Sequence, residues 1–418
     1  MKATDANTDR VGRAAVILAR TPEARSRLWG MTLIERLLRQ LSAVGVRRAV
    51  VLTPLDWIDR DALLRPDFGQ WTDIEVSFAP LAAAADAVAA GDALARALAD
   101  ETTPTVVLDG HLVVDTRIIR HLAEADSPLR FASESGLVAA LSANSWDSRA
   151  GVSSNVPTVS VETLESYLQS TRKHVRPVII PVRDADSLQS AGRETFAAVY
   201  KGATDFITKW VFFLPTRWIV SRISPTLITP NQITLVSMVL SFGAIVPFLL
   251  GWYGVAVIMG FTMALLDTVD GKLARTTLRT SDSGELLDHV SDTAYLLLWY
   301  VGLGWSLSGG NLLDFENPAA RMHALLLGTF IADKLLTGLY KRIYGFELHD
   351  YTALDYTARI FIARRNPFLL GMVVALVVGQ PLLGLQIIAI WYALTLAFHL
   401  VRFVYLPLAR IPHQSQVE

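Results

Sequence analysis

Two pairs of aspartates stand at the edges of two strongly apolar segments of this 418-residue chain. Asp267 and Asp270 are three residues apart and Asp288 and Asp292 are four apart, so each pair falls on one helix face. Ionised groups in apolar segments are costly and indicate function. Four carboxylates that face one another in a low dielectric repel unless some are protonated or a cation neutralises them. Hard oxygen ligands of this kind select Mg²⁺, Mn²⁺ or Ca²⁺.

Small residues accompany both aspartate pairs. Gly271 and Ala274 extend the face of the first pair, and Gly284 lies one turn before Asp288. Two helices that cross here can approach closely and leave a groove floored by backbone and walled by carboxylates. Packing of one helix on another through small residues is the alternative, and the two roles are compatible.

The whole pattern over residues 267–292, D-x2-D-G-x2-A-R-x8-G-x3-D-x3-D, resembles the signature of the CDP-alcohol phosphotransferase family. The alternative is a pair of membrane helices with scattered acids for packing or ion conduction. The resemblance implies transfer of a substituted phosphoryl group from a CDP-alcohol to an acceptor alcohol, with release of CMP. It also implies a homodimer and one or two Mg²⁺ or Mn²⁺ ions held by Asp267, Asp270, Asp288 and Asp292. Asp292 is in addition the expected base for the acceptor hydroxyl.

The same resemblance assigns residues to the nucleotide. Pro230-Asn231-x2-Thr234 resembles the family's Pro-Asn-x2-Thr element, although Thr229-Pro-Asn is also typical of a turn and helix start. Arg275 is expected on a phosphate, with snorkelling to lipid headgroups as the alternative. The expected nucleotide-binding set is Asn231, Thr234, Asp267, Gly271, Ala274, Arg275 and Gly284.

Arg359, Arg364 and Arg365 form a basic cluster next to Asn366. Residues 354–366 resemble a segment of family members that are fused to nucleotidyltransferase domains, of the inositol-phosphate cytidylyltransferase and di-myo-inositol-phosphate-phosphate synthase type. The cluster can grip an acceptor phosphate through forked hydrogen bonds, or it is only a positive-inside signal. The related fusions imply inositol phosphate as the acceptor, and CDP-diacylglycerol and CDP-inositol fit the motif equally well as donors.

Hydropathy divides the chain into a charge-rich half, residues 1–200, and a half with long apolar runs, residues 230–408. Lys and Arg border one set of loops and are absent from the opposite loops, which predicts an integral cell-membrane protein with both termini and the aspartate motif in the cytoplasm. Net charge near −1 says nothing about nucleic acid, and no basic block indicates a DNA-binding surface, so we expect no nucleic-acid partner. The absence of cysteine excludes disulfides and thiol catalysis. The expected spans are 232–250, 254–275, 284–306, 320–340, 367–381 and 385–407.

Residues 14–200 alternate β-rich runs with helical periodicity, which predicts a largely parallel sheet covered on both faces. Thr32–Leu41 is amphipathic, and the alanine-rich stretch Leu81–Ala99 favours a helix. The expected strands are Ala14–Ala19, Arg48–Thr53, Ile74–Phe78, Thr105–Asp109 and Pro177–Val182. The stretches Ala14–Ala19 and Gly30–Arg36 resemble a sugar-nucleotide nucleotidyltransferase, with Asp109 and the pair Asp184 and Asp186 as its acidic residues. The intervening residues 20–29 lack the glycines and the Pro-Lys that cradle a triphosphate. We therefore expect a nucleotidyltransferase-like domain without catalysis, which serves as a structural or regulatory cap.

The predicted fold is an α/β nucleotidyltransferase-like cytoplasmic domain at 1–200, an interfacial amphipathic segment at 201–228, and an all-α six-helix transmembrane domain at 229–418. The segment 203–227 alternates aromatic and cationic residues, which suits a helix in the membrane interface. One alternative is a bifunctional enzyme whose first domain also makes the CDP-alcohol from CTP. The other alternative is a cation-coupled transporter. A transporter would place acidic residues near the middle of the spans, whereas these aspartates lie at the expected cytoplasmic helix ends.

Overall fold

The structure is a computed structural model. It describes residues 13–81, 92–93, 103–133, 136–147, 151–168, 171, 173–200, 202, 204–279, 282–345, 347–350 and 352–408, and for 282–292, 350, 407 and 408 it describes the backbone alone. The alanine-rich stretch 81–99, expected to be helical, lies almost entirely outside these residues.

The N-terminal part is built on a seven-stranded sheet in the order β12-β8-β9-β6-β1-β4-β5. The central strand β1 is a continuous apolar run with parallel neighbours on both sides, β4 and β6, as its burial requires. The sheet is mixed because β9 runs antiparallel to β6 and β8. The strands are β1 Ala14–Leu18, β4 Arg48–Pro54, β5 Glu75–Leu81, β6 Thr105–Asp109, β8 Leu129–Phe131, β9 Val138–Leu141 and β12 Thr158–Val159.

Shorter strands and helices complete this part. The expected strand at 177–182 forms, but it pairs with β7 outside the main sheet. The expected amphipathic helix begins after Thr32, whose hydroxyl accepts the Glu35 amide at 3.0 Å as an N-cap. The remaining strands are β2 Arg27–Leu28, β3 Met31–Thr32, β7 Leu112–Val114, β10 Trp146–Asp147, β11 Gly151–Val152, β13 Tyr167–Leu168, β14 Lys173–His174 and β15 Ile179–Pro181. The helices are α1 Leu33–Ala43, α2 Arg60–Leu63, α3 Thr116–Glu124 and α4 Ala185–Ala198.

The connecting segment contains a π-helical turn at Ile207–Val211 and the helix α5 Phe213–Ile223. Pro215 lies in the first turn of α5, where its missing amide is tolerated, and the helix ends before Pro225. Trp210, Leu214 and Trp218 are exposed. This is the composition that a membrane surface favours, and the interfacial position stays a prediction.

The C-terminal part is helical. Thr229 begins α6 with a reciprocal capping box to Gln232, and Pro230 takes the first helical position. Buried aromatic rings, among them Phe248, Trp299, Phe368 and Tyr392, form the centre of its core. The helices are α6 Pro230–Gly243, α7 Ile245–Leu249, α8 Tyr253–Thr276, α9 Asp282–Leu307, α10 Pro318–Tyr344, α11 Ala353–Ala358, α12 Arg365–Val377 and α13 Pro381–Leu408.

Among the described residues, four helical stretches are long and apolar enough to cross a membrane: Pro230–Leu249, Tyr253–Thr276, Pro318–Tyr344 and Pro381–Leu406. They coincide with four of the six expected spans. The other two fall on shorter apolar stretches: Thr293–Leu307, the part of α9 whose side chains are described, and Arg365–Val377, which is α12. Large apolar side chains on the long helices, such as Ile258, Leu335 and Leu394, are exposed, as lipid contact requires.

The two parts touch where Gly30 meets the end of α5. Gly30 has φ +79°, and a Cβ at this position would lie 2.4 Å from the carbonyl oxygen of Ser224. The backbone of the N-terminal part therefore approaches the helical part more closely than any side chain permits.

We predict that Gly30→Ala lowers the melting temperature of the detergent-solubilised protein more than Gly45→Ala does. Gly45 also has positive φ, at +90°, but a Cβ there meets nothing within 4 Å. Gly45→Ala therefore carries only the left-handed backbone cost of about 1–2 kcal/mol, whereas Gly30→Ala adds a collision with backbone. Equal shifts in thermal unfolding would show that the close approach is absent.

Candidate functional site

A polar cavity of about 530 Å³ lies among α8, α9 and α10 and the segments around residues 200–208, 347–349 and 359–366. Among the described residues, its lining contains both cationic and acidic side chains. The charged lining residues are Lys272, Arg275, Lys334, Lys341, Arg359, Arg364 and Arg365 against Asp205, Asp267, Asp270, Asp333 and Glu347.

Asp267 and Asp270 both line this cavity, one turn apart on α8. Asp267 accepts a hydrogen bond from Arg365 Nη2 at 2.7 Å, and Asp270 accepts one from the Thr234 hydroxyl at 2.6 Å. Asp270 is 8% exposed. A charge so far removed from water needs a partner, and each carboxylate has one from a different element.

Thr234 joins the Pro-Asn-x2-Thr element to the aspartate motif. Its hydroxyl donates to Asp270 and also lies 3.1 Å from the carbonyl of Pro230, within α6. Asn231 is exposed at the start of the same helix. Thr229-Pro-Asn is thus a helix start, and Thr234, the last residue of the Pro-Asn-x2-Thr element, contacts the motif.

Gly271 lies under the guanidinium of Arg275. A Cβ at Gly271 would be 3.1 Å from Arg275 Nη2, and Gly271 lines the cavity together with Arg275. Arg275 Nε donates to the carbonyl of Val199 at 3.2 Å. The arginine therefore faces the N-terminal part and the cavity. Ala274 is half-buried on the same helix.

All three arginines of the basic cluster line the cavity that contains Asp267 and Asp270. Arg359 lies 3.0 Å from Glu347 Oε2, and Arg365 pairs with Asp267 and also contacts the Tyr295 hydroxyl. Arg364 stands at the N-cap of α12. The basic cluster is thus in direct contact with the first aspartate pair, and does not merely lie on the same side of the predicted membrane.

Gly284, Asp288 and Asp292 belong to the first part of α9, residues 282–292, for which only the backbone is described. Their side-chain positions lie outside the described residues. Within the part of the chain that the structure describes, no three His, Asp or Glu side chains are grouped so that they could hold a metal ion. Two of the four expected ligands, Asp267 and Asp270, share the cavity wall.

Several cavity residues were not expected from the sequence. Tyr200 supports the ammonium group of Lys272, 4.2 Å from its ring centre, and burial raises the pKa of Tyr200 to about 12, so it stays neutral. Asn366 Nδ2 donates to Asp205 at 3.0 Å, which ties the connecting segment to α12. Asp333 and Lys334 could have been found, because ionisable residues inside an apolar helix indicate function.

Comparison with known proteins finds a family match in the helical part. Residues 227–398 match the CDP-alcohol phosphatidyltransferase family model. The match begins just before α6, ends within α13, and contains every residue of the aspartate motif and of the basic cluster. No curated protein matches the chain. The α/β part and the residues at 200–208 that line the cavity lie outside the matched region.

We predict that Gly271→Ala weakens CMP binding at least tenfold while the melting temperature stays the same or rises. Alanine improves helix propensity by about 1 kcal/mol, but its methyl group displaces the Arg275 guanidinium toward the cavity. Isothermal titration with CMP and thermal unfolding measure the two effects. Unchanged binding would contradict a nucleotide role for Gly271, and a lower melting temperature would favour a packing role.

Proposed function

We propose that this chain is a membrane-embedded, metal-dependent transferase that moves a substituted phosphoryl group from a CDP-alcohol to an acceptor alcohol and releases CMP. One observation carries the proposal. Asp267 and Asp270, within the region that matches the family, share one polar cavity with Arg359, Arg364 and Arg365. Carboxylates that can hold a metal ion, beside several guanidinium groups, suit a pyrophosphate and a second phosphate in the same site.

The donor set fits Mg²⁺ or Mn²⁺. Asp267 and Asp270 offer hard carboxylate oxygens on one wall of the cavity, and Asp288 and Asp292 would complete the set from α9. A bound divalent ion neutralises pyrophosphate charge and orients the phosphorus for in-line attack. Thr234 holds Asp270, and Arg365 neutralises Asp267.

The transfer needs one bond made, one bond broken and one proton moved. The acceptor oxygen attacks the phosphorus that carries the donor alcohol, and the bond from that phosphorus to CMP breaks. Asp292 accepts the proton of the acceptor hydroxyl as general base. The residues assigned to the nucleotide are Asn231, Thr234, Asp267, Gly271, Ala274, Arg275 and Gly284.

The acceptor that we propose is an inositol phosphate, held by Arg359, Arg364 and Arg365. Support comes from the common cavity, because a purely topogenic charge cluster need not face the aspartates. Guanidinium groups grip phosphate oxygens in pairs, which suits a phosphorylated polyol better than a neutral alcohol. CDP-diacylglycerol and CDP-inositol are the candidate donors.

The N-terminal part is proposed to be nucleotidyltransferase-like and without catalysis. Asp109, the residue expected to bind a metal in such a fold, accepts bonds from Arg20 at 2.7 and 2.8 Å and from the Leu137 amide at 2.6 Å. Asp184 caps α4 through the Ser187 amide, and the hydrogen bonds from Ser187 lower its pKa. Both acids have structural partners, which supports a structural or regulatory cap over the bifunctional alternative.

We also propose six membrane spans, cytoplasmic termini and a homodimer.

We expect purified protein to release CMP from one donor–acceptor pairing in the presence of Mg²⁺ or Mn²⁺. The assay offers CDP-diacylglycerol and CDP-inositol, each with and without inositol phosphate. EDTA and Asp292→Asn should each reduce CMP release at least a hundredfold, because they remove the metal and the base.

Ser308→Ala is the matched control for that assay, since Ser308 donates only locally, to Trp305 at 3.2 Å at the far end of α9. Its rate should equal the wild-type rate. Release that does not depend on the acceptor would overturn the acceptor assignment. Release that survives EDTA would overturn the metal.

Arg364→Gln should raise the KM for inositol phosphate about tenfold and leave the KM for the CDP-alcohol within twofold, because a phosphate contact of this strength is worth roughly 1.4 kcal/mol. Arg342→Gln removes an equally positive but exposed side chain at the end of α10 and should change neither value. Steady-state kinetics measure both. Equal effects of the two variants would contradict acceptor binding by the basic cluster and leave it only a role in membrane orientation.

A further inference from the structure

The C-terminal end of α8 is held by the N-terminal part. The last carbonyls of a helix lack partners within the helix and carry the negative end of its dipole. Arg36 Nη1 donates to the carbonyl of Thr276 at 3.0 Å, and Arg39 Nη1 donates to that of Thr277 at 3.3 Å. Both acceptors are fully buried residues, so water does not replace these bonds. Two guanidinium groups on α1 therefore complete the cap of α8.

The turn that these arginines hold has a backbone that needs support. Leu278 has φ +53°, a left-handed conformation that is costly for a residue with a branched side chain. The Arg279 amide donates back to the carbonyl of Ala274 at 2.8 Å, which is the bond that closes a Schellman-type helix end. The usual glycine is replaced by leucine here. The external donors Arg36 and Arg39 supply the stabilisation that glycine would otherwise give.

A second helix end meets the same group of arginines. Arg65 donates to the carbonyl of Ser224 at 2.5 Å and also to that of Thr226, at the C-terminus of α5. Arg279 lies 2.8 Å from Asp67, and Arg39 lies 2.6 Å from Glu35. The buried carboxylates of Glu35 and Asp67 pair with Arg39, Arg65 and Arg279 and so offset the repulsion among these three buried cations. The helical part is thus fastened to the N-terminal part through two helix C-termini.

Residues 277–279, the turn after α8, lie between the two aspartate pairs. Asp267 and Asp270 precede them on α8, and Asp288 and Asp292 follow on α9, which begins at Asp282. Because a helix is stiff, holding the end of α8 fixes one side of the connection on which the placement of the second pair depends. Tyr200 and Asp205, which precede the family match, line the cavity as well.

We propose that Arg36 and Arg39 are positioning residues for the membrane site: they fix the turn after α8 and thereby the spacing of the two carboxylate pairs. The N-terminal part is then an obligatory component of the transferase, although its own Asp109 is occupied by Arg20. This inference rests on the proposed function, since it assigns the carboxylates to one reaction.

The experiment uses full-length Arg36→Met, Arg36→Lys and Arg13→Met. Arg36 is chosen because Arg39 also pairs with the buried Glu35, and its loss would leave that carboxylate without a cation. Arg13 is the matched control: it donates to the carbonyl of Ala125 at 2.8 Å and so caps α3, within the N-terminal part. Arg36→Lys keeps one charged donor for Thr276.

Two readouts are needed, the CMP-release rate and hydrogen exchange of the amides at 277–279. Arg36→Met should lower kcat at least tenfold with the donor KM within threefold, and should speed exchange at these amides at least tenfold. Arg36→Lys should recover at least half of wild-type kcat. Arg13→Met should match the wild type in both readouts and have a melting temperature at or below that of Arg36→Met.

The outcomes separate the two proposals. Wild-type kcat in Arg36→Met, or a loss of kcat that Arg13→Met shares, overturns the positioning role. Unchanged exchange in Arg36→Met overturns the cap itself, whether or not the protein releases CMP. A wild-type protein that releases no CMP from any pairing contradicts the proposed function, and exchange then still tests the cap.

Discussion

The structure depends on how carboxylates are kept at the edge of an apolar helix bundle. Asp267 and Asp270 stand one turn apart on α8, and carboxylates this close together and partly removed from water need partners. Arg365 reaches Asp267 from α12, and Thr234 reaches Asp270 from α6. Three helices are thereby tied to one face. The same partners give the cavity its mixture of acids and cations.

The second constraint is the satisfaction of helix ends. Ser224 at the C-terminus of α5 and Thr276 and Thr277 at that of α8 are buried, and their carbonyls need donors that water cannot supply. Arg36, Arg39 and Arg65 provide these donors. The α/β part is therefore joined to the helical part through these polar contacts as well as through an apolar cluster in which Phe196 packs with Val220, Ile233 and Leu273. An arrangement of this kind is directional, because guanidinium groups and carbonyls bond only in a narrow geometry.

The N-terminal part illustrates how a fold and its chemistry separate. Its central strands and α1 follow from continuous apolar runs and an N-cap, and these are properties of short stretches of sequence. Its acidic residues were harder to interpret. Asp109 is bound by Arg20, and Asp184 caps a helix. Resemblance of fold does not carry a reaction with it, so the absence of catalysis in this part stays a prediction that rests on the missing phosphate loop.

The sequence by itself determined the order of the parts, the main strands, four long apolar helices and the spacing that places Asp267 and Asp270 on one face. These depend on local periodicity and composition, which neighbouring residues in the chain define. The tertiary structure alone decided that Arg365 meets Asp267 across 98 positions and that Asn366 meets Asp205 across 161. It alone showed that α1 caps α8. Contacts between residues so far apart in the chain depend on how whole helices pack against one another, and a short stretch of sequence does not specify that packing.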